Sequence, residues 1–242
     1  MLQRTVDDIR QLRIQGAHAV CTKAVEAFLS HKDELIDEHA FVTDVLRDLH
    51  RAKDLLFEAR PTEPALRNAL NFIFPPEAYV DLDIKSLSQE MEKRGNIMLK
   101  HLLTSRKQIA HIGAKKIKKG MVVYTHCHSS SVMEILKLAK NSGIDFRVVN
   151  TETRPCFQGR ITASELAEAG IRVYHFVDSA IRLAIKQADI ALIGADAIDH
   201  DMKIYNKIGS EMIAEIAKLY KVPVYACTDS LKYDPLTSKV HA

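Results

Sequence analysis

The sequence predicts an α/β protein in two parts: an all-helical N-terminal domain over 1–119 and a Rossmann-like parallel-sheet domain over 120–242. Two observations carry this. Before Gly120 apolar residues recur at three- and four-residue spacings, the helical period. Beyond it short β-branched runs alternate with helical segments, the grammar of a parallel sheet with right-handed crossovers.

The helical pattern runs from Val6 to about Arg60 through Leu12, Ile14, Val20, Val25 and Leu29, with a second stretch over 41–57. Pro61 and Pro64 break it, and Leu66, Leu70 and Ile73 mark one more helix before Pro75 and Pro76. After Asp81 a long amphipathic stretch carries Leu87, Met91, Met98, Leu102, Ile109, Ile112 and Ile117 up to Gly120. Strands are then expected at 121–125, 146–150, 173–177, 190–193 and 222–226, with helices at 131–141, 162–169, 179–186 and 210–220. There is no internal repeat and no low-complexity segment.

A chain of 242 residues with 47% apolar content can bury a real core. No apolar run approaches a membrane span, and Met1, Leu2, Gln3 and Arg4 lead into a charged helix rather than a signal peptide, so a cytoplasmic location is expected. Cys21, Cys127, Cys156 and Cys227 are scattered without a CxxC pair or zinc spacing and read as free thiols. No metal and no cofactor are expected. The net charge of +3 is mild and no basic-aromatic stripe is present, which points away from nucleic acid and toward a small anionic ligand.

The most informative stretch is 124–131, where a strand hands over to a helix at Cys127, followed by Ser129, Ser130 and Ser131. Helix N–H groups at such a point favour a phosphate, and a thiol there would ionise more readily than a free cysteine, as a base or nucleophile. A small buried cysteine closing a strand is the alternative. Arg154, beside Pro155 in the next strand-end loop, suits bidentate phosphate recognition; a surface ion pair with Glu152 is equally open. Asp178 is read as a helix cap. Asp196 follows a fully apolar strand, where burial would keep its carboxyl protonated as an acid, or where it simply forms a turn. Asn206 and Lys207 precede a helix and suit a phosphate or sugar hydroxyl, with a solvated lysine as the ordinary alternative.

Taken together, THCHSS at 125–130, TETRPCFQGRITASEL at 151–166, DSA at 178–180, GADAI at 194–198 and NKIGS at 206–210 resemble one superfamily, in order and spacing over most of 5–235. It joins ribose-1,5-bisphosphate isomerase, methylthioribose-1-phosphate isomerase and the alpha, beta and delta regulatory subunits of the translation initiation factor 2B exchange factor. The second histidine of HCHS and the segments 57–62 and 68–70 are more similar to the archaeal bisphosphate isomerase. The resemblance implies a catalytic Cys127 and Asp196, and substrate contacts from Gln15, Gly16, Ala17, Arg60, Ser129, Ser130, Ser131, Asn206, Lys207 and Lys232. It implies a small phosphorylated sugar as substrate, a homo-oligomer and a nucleotide activator. Two departures are visible. Gln15 stands where the family has an arginine, with Arg13 or His18 as candidate replacements, and the chain ends at Ala242 where relatives continue, as in a short variant or a fragment.

Overall fold

Helices α1 (Leu2–Arg10), α2 (Ala17–Glu38), α3 (Val42–Ala59), α4 (Pro64–Ile73) and α5 (Ile84–Ala114) build the first part of the chain. The structure, a computed structural model, describes all residues except 15, 76, 78, 80 and 235–242. Packing divides it into two units, Met1–Thr104 with Leu231–Ala242, and Ser105–Ser230. The change of sequence pattern at Gly120 is therefore not where the packing divides. The last turns of α5 bring Ala110 and Ala114 into the core of the second unit, so the division falls within that helix.

In the first unit the apolar stripes of all five helices meet in one core. Phe28, Leu49, Leu56, Leu66, Leu70, Ile73 and Leu87 are wholly buried there; each such side chain contributes about 1.5–3 kcal/mol. Phe74 closes the core, stacking on Tyr79 at 5.6 Å and meeting Phe28 edge-on at 5.9 Å. Pro64 opens α4 at a position where its missing N–H costs nothing. The unbroken helical period expected from Val6 onward is interrupted between Arg10 and Ala17. Leu12 takes φ 56, and the N–H groups of Arg13 and Ile14 both turn back to the carbonyl of Asp8. An apolar period survives such a turn because the spacing records which faces are buried, not whether the backbone is continuous.

The second unit is a five-stranded sheet of parallel pairs. Its strands are β1 (Val122–His126), β2 (Arg147–Thr151), β3 (Arg172–Phe176), β4 (Ile190–Ile193) and β7 (Val224–Ala226), in the order β3-β2-β1-β4-β7. A short antiparallel pair, β5 (Ala197–Ile198) and β6 (Ile204–Tyr205), follows β4 and has no counterpart in the sequence-based expectation. Alternate strand residues face opposite sides. Val123, Val148, Ile190 and Leu192 pack under α6 (Ser130–Asn141), α7 (Gln158–Glu168) and the end of α5. Val122, Tyr124, Val149 and Ala191 pack under α8 (Ile181–Lys186) and α9 (Ser210–Leu219).

Helix α7 begins four residues before the expected start at 162. Its first turn lies so close to β2 that a Cβ on Gly159 would fall 1.8 Å from the carbonyl oxygen of Thr151. Only glycine fits there. Among the described residues no helix is long and apolar enough to cross a membrane.

Candidate functional site

The chain leaves β1 toward β2 on one side and reaches β4 on the other, so the carboxyl ends of β1 and β4 flank the switch point where open α/β sheets hold ligands. Cys127 and Ser129 follow β1; Gly194 and Asp196 follow β4. The two loops touch. A Cβ on Gly194 would lie 3.0 Å from Ser129 Oγ and 3.6 Å from Asn206 Oδ1. Ser129 caps α6 through its Oγ, which accepts from the Val132 N–H, and Ser130 and Ser131 open the helix.

Cys127 sits in the left-handed region at φ 63, a conformation that needs external support in a residue with a Cβ. Two threonines supply it. The Cys127 N–H donates to Thr153 Oγ1 at 2.9 Å, and the Thr162 hydroxyl donates to the Cys127 carbonyl at 2.8 Å. The thiol itself reaches Gln158 Oε1 at 3.6 Å. Burial pushes this thiol above its ordinary value. The His128 backbone N–H and the Lys207 charge oppose the rise, while the charges of Asp196 and Cys156 add to it. The expectation of ready ionisation at the helix end is thus corrected: burial outweighs the positive groups around the sulfur.

Beneath Cys127 lies a chain of buried polar groups. His126 Nε2 is 2.8 Å from the Ile208 carbonyl, which only accepts, so this nitrogen carries the proton. Burial lowers the pKa of the ring, which is therefore neutral, and Nδ1 accepts from the Thr151 hydroxyl at 2.6 Å. Thr151 Oγ1 accepts in turn from Tyr124 Oη at 3.1 Å. Each proton in the series has a defined place.

Asp196 and Lys207 both lie near enough to Cys127 for their charges to act on its thiol. Asp196 is exposed, correcting the expectation of a buried carboxyl: the buried run ends at Ala195. Its N–H donates to the Tyr205 carbonyl at 2.7 Å, tying the turn after β4 to β6. Asn206 Nδ2 donates to Ser210 Oγ at 2.9 Å, and that hydroxyl donates to the Lys207 carbonyl at 2.7 Å. Among the described residues, no ion pair involves Asp196 or Lys207.

Arg154 is exposed, with its guanidinium 5.1 Å from the Phe157 ring centroid. The carboxylate of Glu152 pairs with Arg160 at 2.9 Å, so the ion pair considered for Arg154 is not the one formed. Asp178 does not cap its own helix. Its two carboxylate oxygens accept the N–H groups of Thr153 at 2.8 Å and Arg154 at 2.7 Å, so that it holds the loop that in turn supports Cys127. Thr153, Thr162, His126 and Asp178 were not legible as site residues, because each acts through backbone groups that topology brings together. A polar residue ending an otherwise apolar strand was the available signal for His126.

The other expected contacts belong to the first unit. Gly16 is the residue before α2, and Ala17 is its buried first residue. Arg60 follows α3, with Nε 3.6 Å from Glu63 and a buried Nη1 that has no hydrogen-bond partner among the described residues. Lys232 ends a short 3-10 turn at Ser230–Lys232. Gln15 lies outside the described residues.

The profile of the initiation factor 2 subunit family matches residues 13–241. The chain belongs to that family. It is 32% identical over 231 residues to a ribose 1,5-bisphosphate isomerase of Archaeoglobus fulgidus, covering 96% of this chain and 71% of the relative. It is 34% identical over 236 residues to the Pyrococcus furiosus protein of the same name, covering 96% and 72%. Among solved structures, the Pyrococcus horikoshii translation initiation factor eIF-2B superposes with a TM-score of 0.82 at 28% identity, over 97% of this chain and 80% of that one. Helical N-terminal region and parallel sheet are thus shared with the family.

Proposed function

We propose that this chain is a sugar-phosphate aldose–ketose isomerase converting ribose 1,5-bisphosphate to ribulose 1,5-bisphosphate. What supports the reading is that the loop after β1, which bears Cys127 and Ser129, meets the loop after β4, which bears Gly194 and Asp196: a Cβ on Gly194 would lie 3.0 Å from Ser129 Oγ and 3.6 Å from Asn206 Oδ1. The names borne by the two archaeal relatives support it.

The substrate is closed in a furanose ring because its anomeric oxygen carries phosphate, so isomerisation needs ring opening as well as proton movement. Asp196 as acid gives a proton to the ring oxygen as the bond from that oxygen to C1 breaks. Cys127 thiolate takes the proton from C2, and a C1–C2 double bond forms. The enol then returns: its 2-hydroxyl proton goes to the Asp196 carboxylate, C1 takes the proton held by Cys127, and the 2-ketone results. Both groups end as they began. Positioned acid–base catalysis of this kind contributes about 10² to 10⁴ in rate. Lys207 and the N–H groups opening α6 would hold a phosphate and offset developing negative charge; Ser129, Ser130, Ser131, Asn206 and Arg154 belong to the same proposed surface. By the family resemblance alone, Gly16, Ala17, Arg60 and Lys232 are proposed as further substrate contacts. Homo-oligomer formation and nucleotide activation are part of the same reading.

A second reading, a non-catalytic regulatory subunit that binds a phosphosugar or nucleotide, is favoured by the named identity of the P. horikoshii structure and by Gln15. Carbon NMR of purified protein with ribose 1,5-bisphosphate separates the two. A new ketone carbon at C2 supports the isomerase. Tight binding of unchanged substrate supports the regulator.

A further inference from the structure

We infer that His126 is a positioning residue that fixes the backbone of the Asn206–Ser210 loop at the end of β1, and with it the place of Lys207 relative to Cys127. The inference rests on the isomerase reading for its consequence in turnover, but its geometry stands apart from it. His126 is the last residue of β1 and only 2% exposed, immediately before the cysteine. Its one donated proton crosses to the Ile208 carbonyl, the residue after Lys207, at 2.8 Å. The neighbouring Gly209 lies against the same nitrogen: a Cβ there would come 3.2 Å from His126 Nε2, and Gly209 stands at φ +99. The backbone of this loop is thus shaped to bring a carbonyl, and no side chain, onto the ring.

The other end of the ring is equally determined. Thr151 Oγ1 donates to Nδ1 at 2.6 Å and is held from behind by Tyr124 Oη at 3.1 Å. The Ile208 carbonyl, which only accepts, sets the tautomer, and the Thr151 hydroxyl completes it by donating to the free Nδ1. The charged groups acting on His126 are Asp178 and Lys207. A neutral ring avoids adding a second cation to that lysine, whose charge favours the Cys127 thiolate. Only Nε2–H of a neutral ring can give the Ile208 bond without placing two positive charges side by side.

The test reads the thiol, not only turnover. The pH dependence of alkylation at Cys127 by iodoacetamide is followed by mass spectrometry on the full chain for wild type, Lys207→Met, His126→Phe, His126→Gln and the double variant His126→Phe/Lys207→Met. Removing either partner is expected to move the alkylation midpoint to higher pH. The double variant is expected to shift no further than Lys207→Met alone, because both act through one charge. His126→Gln, whose amide can still donate toward Ile208, should restore most of the wild-type midpoint. Additive shifts in the double variant, or an unmoved midpoint in a folded His126→Phe protein, overturn the inference. If His126→Phe does not fold, Lys207→Met decides: an unmoved midpoint there overturns it. Coupled midpoints in a protein that does not turn over ribose 1,5-bisphosphate leave this inference standing and sink the isomerase reading instead.

Discussion

Cys127 and Thr153 are joined by a 2.9 Å hydrogen bond from the cysteine N–H to the threonine hydroxyl, and both residues stand in the left-handed region, at φ 63 and φ 61. For a β-branched residue this conformation is a genuine outlier, held only where surroundings over-determine it. Here the surroundings are the Asp178 carboxylate beneath Thr153 and the cysteine N–H above it.

Thr153→Val keeps the shape and removes the acceptor, leaving the Cys127 N–H without its partner. A stability loss of about 1–3 kcal/mol is expected, read by urea unfolding, with a fall in kcat larger than any change in KM. Thr153→Ser should recover most of both. Equal kcat in the valine and serine variants would remove Thr153 from the support of the cysteine.

The proposed base is a thiolate whose pKa burial has raised. Its active fraction therefore grows with pH, and kcat/KM should climb through neutral pH and level only above about 8.5, the ordinary thiol value. Lys207→Met, which removes a charge that favours the thiolate, should move the rise to higher pH. A profile already flat at neutral pH would mean the group that titrates in the rate is not this cysteine.

His126 has a folded pKa below its ordinary value of about 6.5. A depressed folded value means that the unfolded chain binds the proton more tightly, so stability is complete above the unfolded pKa and is lost as pH falls toward and through the folded one. The thermal midpoint of wild type should accordingly drop below about pH 6.5. A matched drop in His126→Gln would place the acid sensitivity elsewhere.

Gly159→Ala would put a methyl 1.8 Å from one backbone atom and 2.8 Å from the next, neither of which is the end of a flexible side chain. A destabilisation of about 3 kcal/mol, at the upper end of overpacking costs, is expected. Calorimetry checks it. A variant as stable as wild type would show that α7 is free to move away from β2.

The helical first part and the parallel sheet that follows it were legible because both are written in period: Val123, Val148, Ile190 and Leu192 must face one way, and their neighbours the other. The meeting of the loops after β1 and β4 at Gly194 and Ser129 was legible for a topological reason, since loops after parallel strands gather at one edge. What could not be read were the consequences of local depth and backbone. A helix end argues for an acidic thiol, but the half-burial of Cys127, with Gln158 and Thr162 against it, comes from residues more than 30 positions away and carries no local signature. Asp178 looked like a cap because it stands before a helix; the backbone donors that claim it come from 25 and 24 residues earlier. The turn at 11–14 and the β5–β6 pair are short enough to leave no period at all.

The decisive measurement is the rate of ketose formation from ribose 1,5-bisphosphate by wild type, Cys127→Ala and Asp196→Asn, each confirmed as folded. Wild type should produce ribulose 1,5-bisphosphate, and each variant should lose about 10² or more in kcat. No product from folded wild type, or undiminished turnover in either variant, would contradict a sulfur and a carboxyl group sharing the proton transfers.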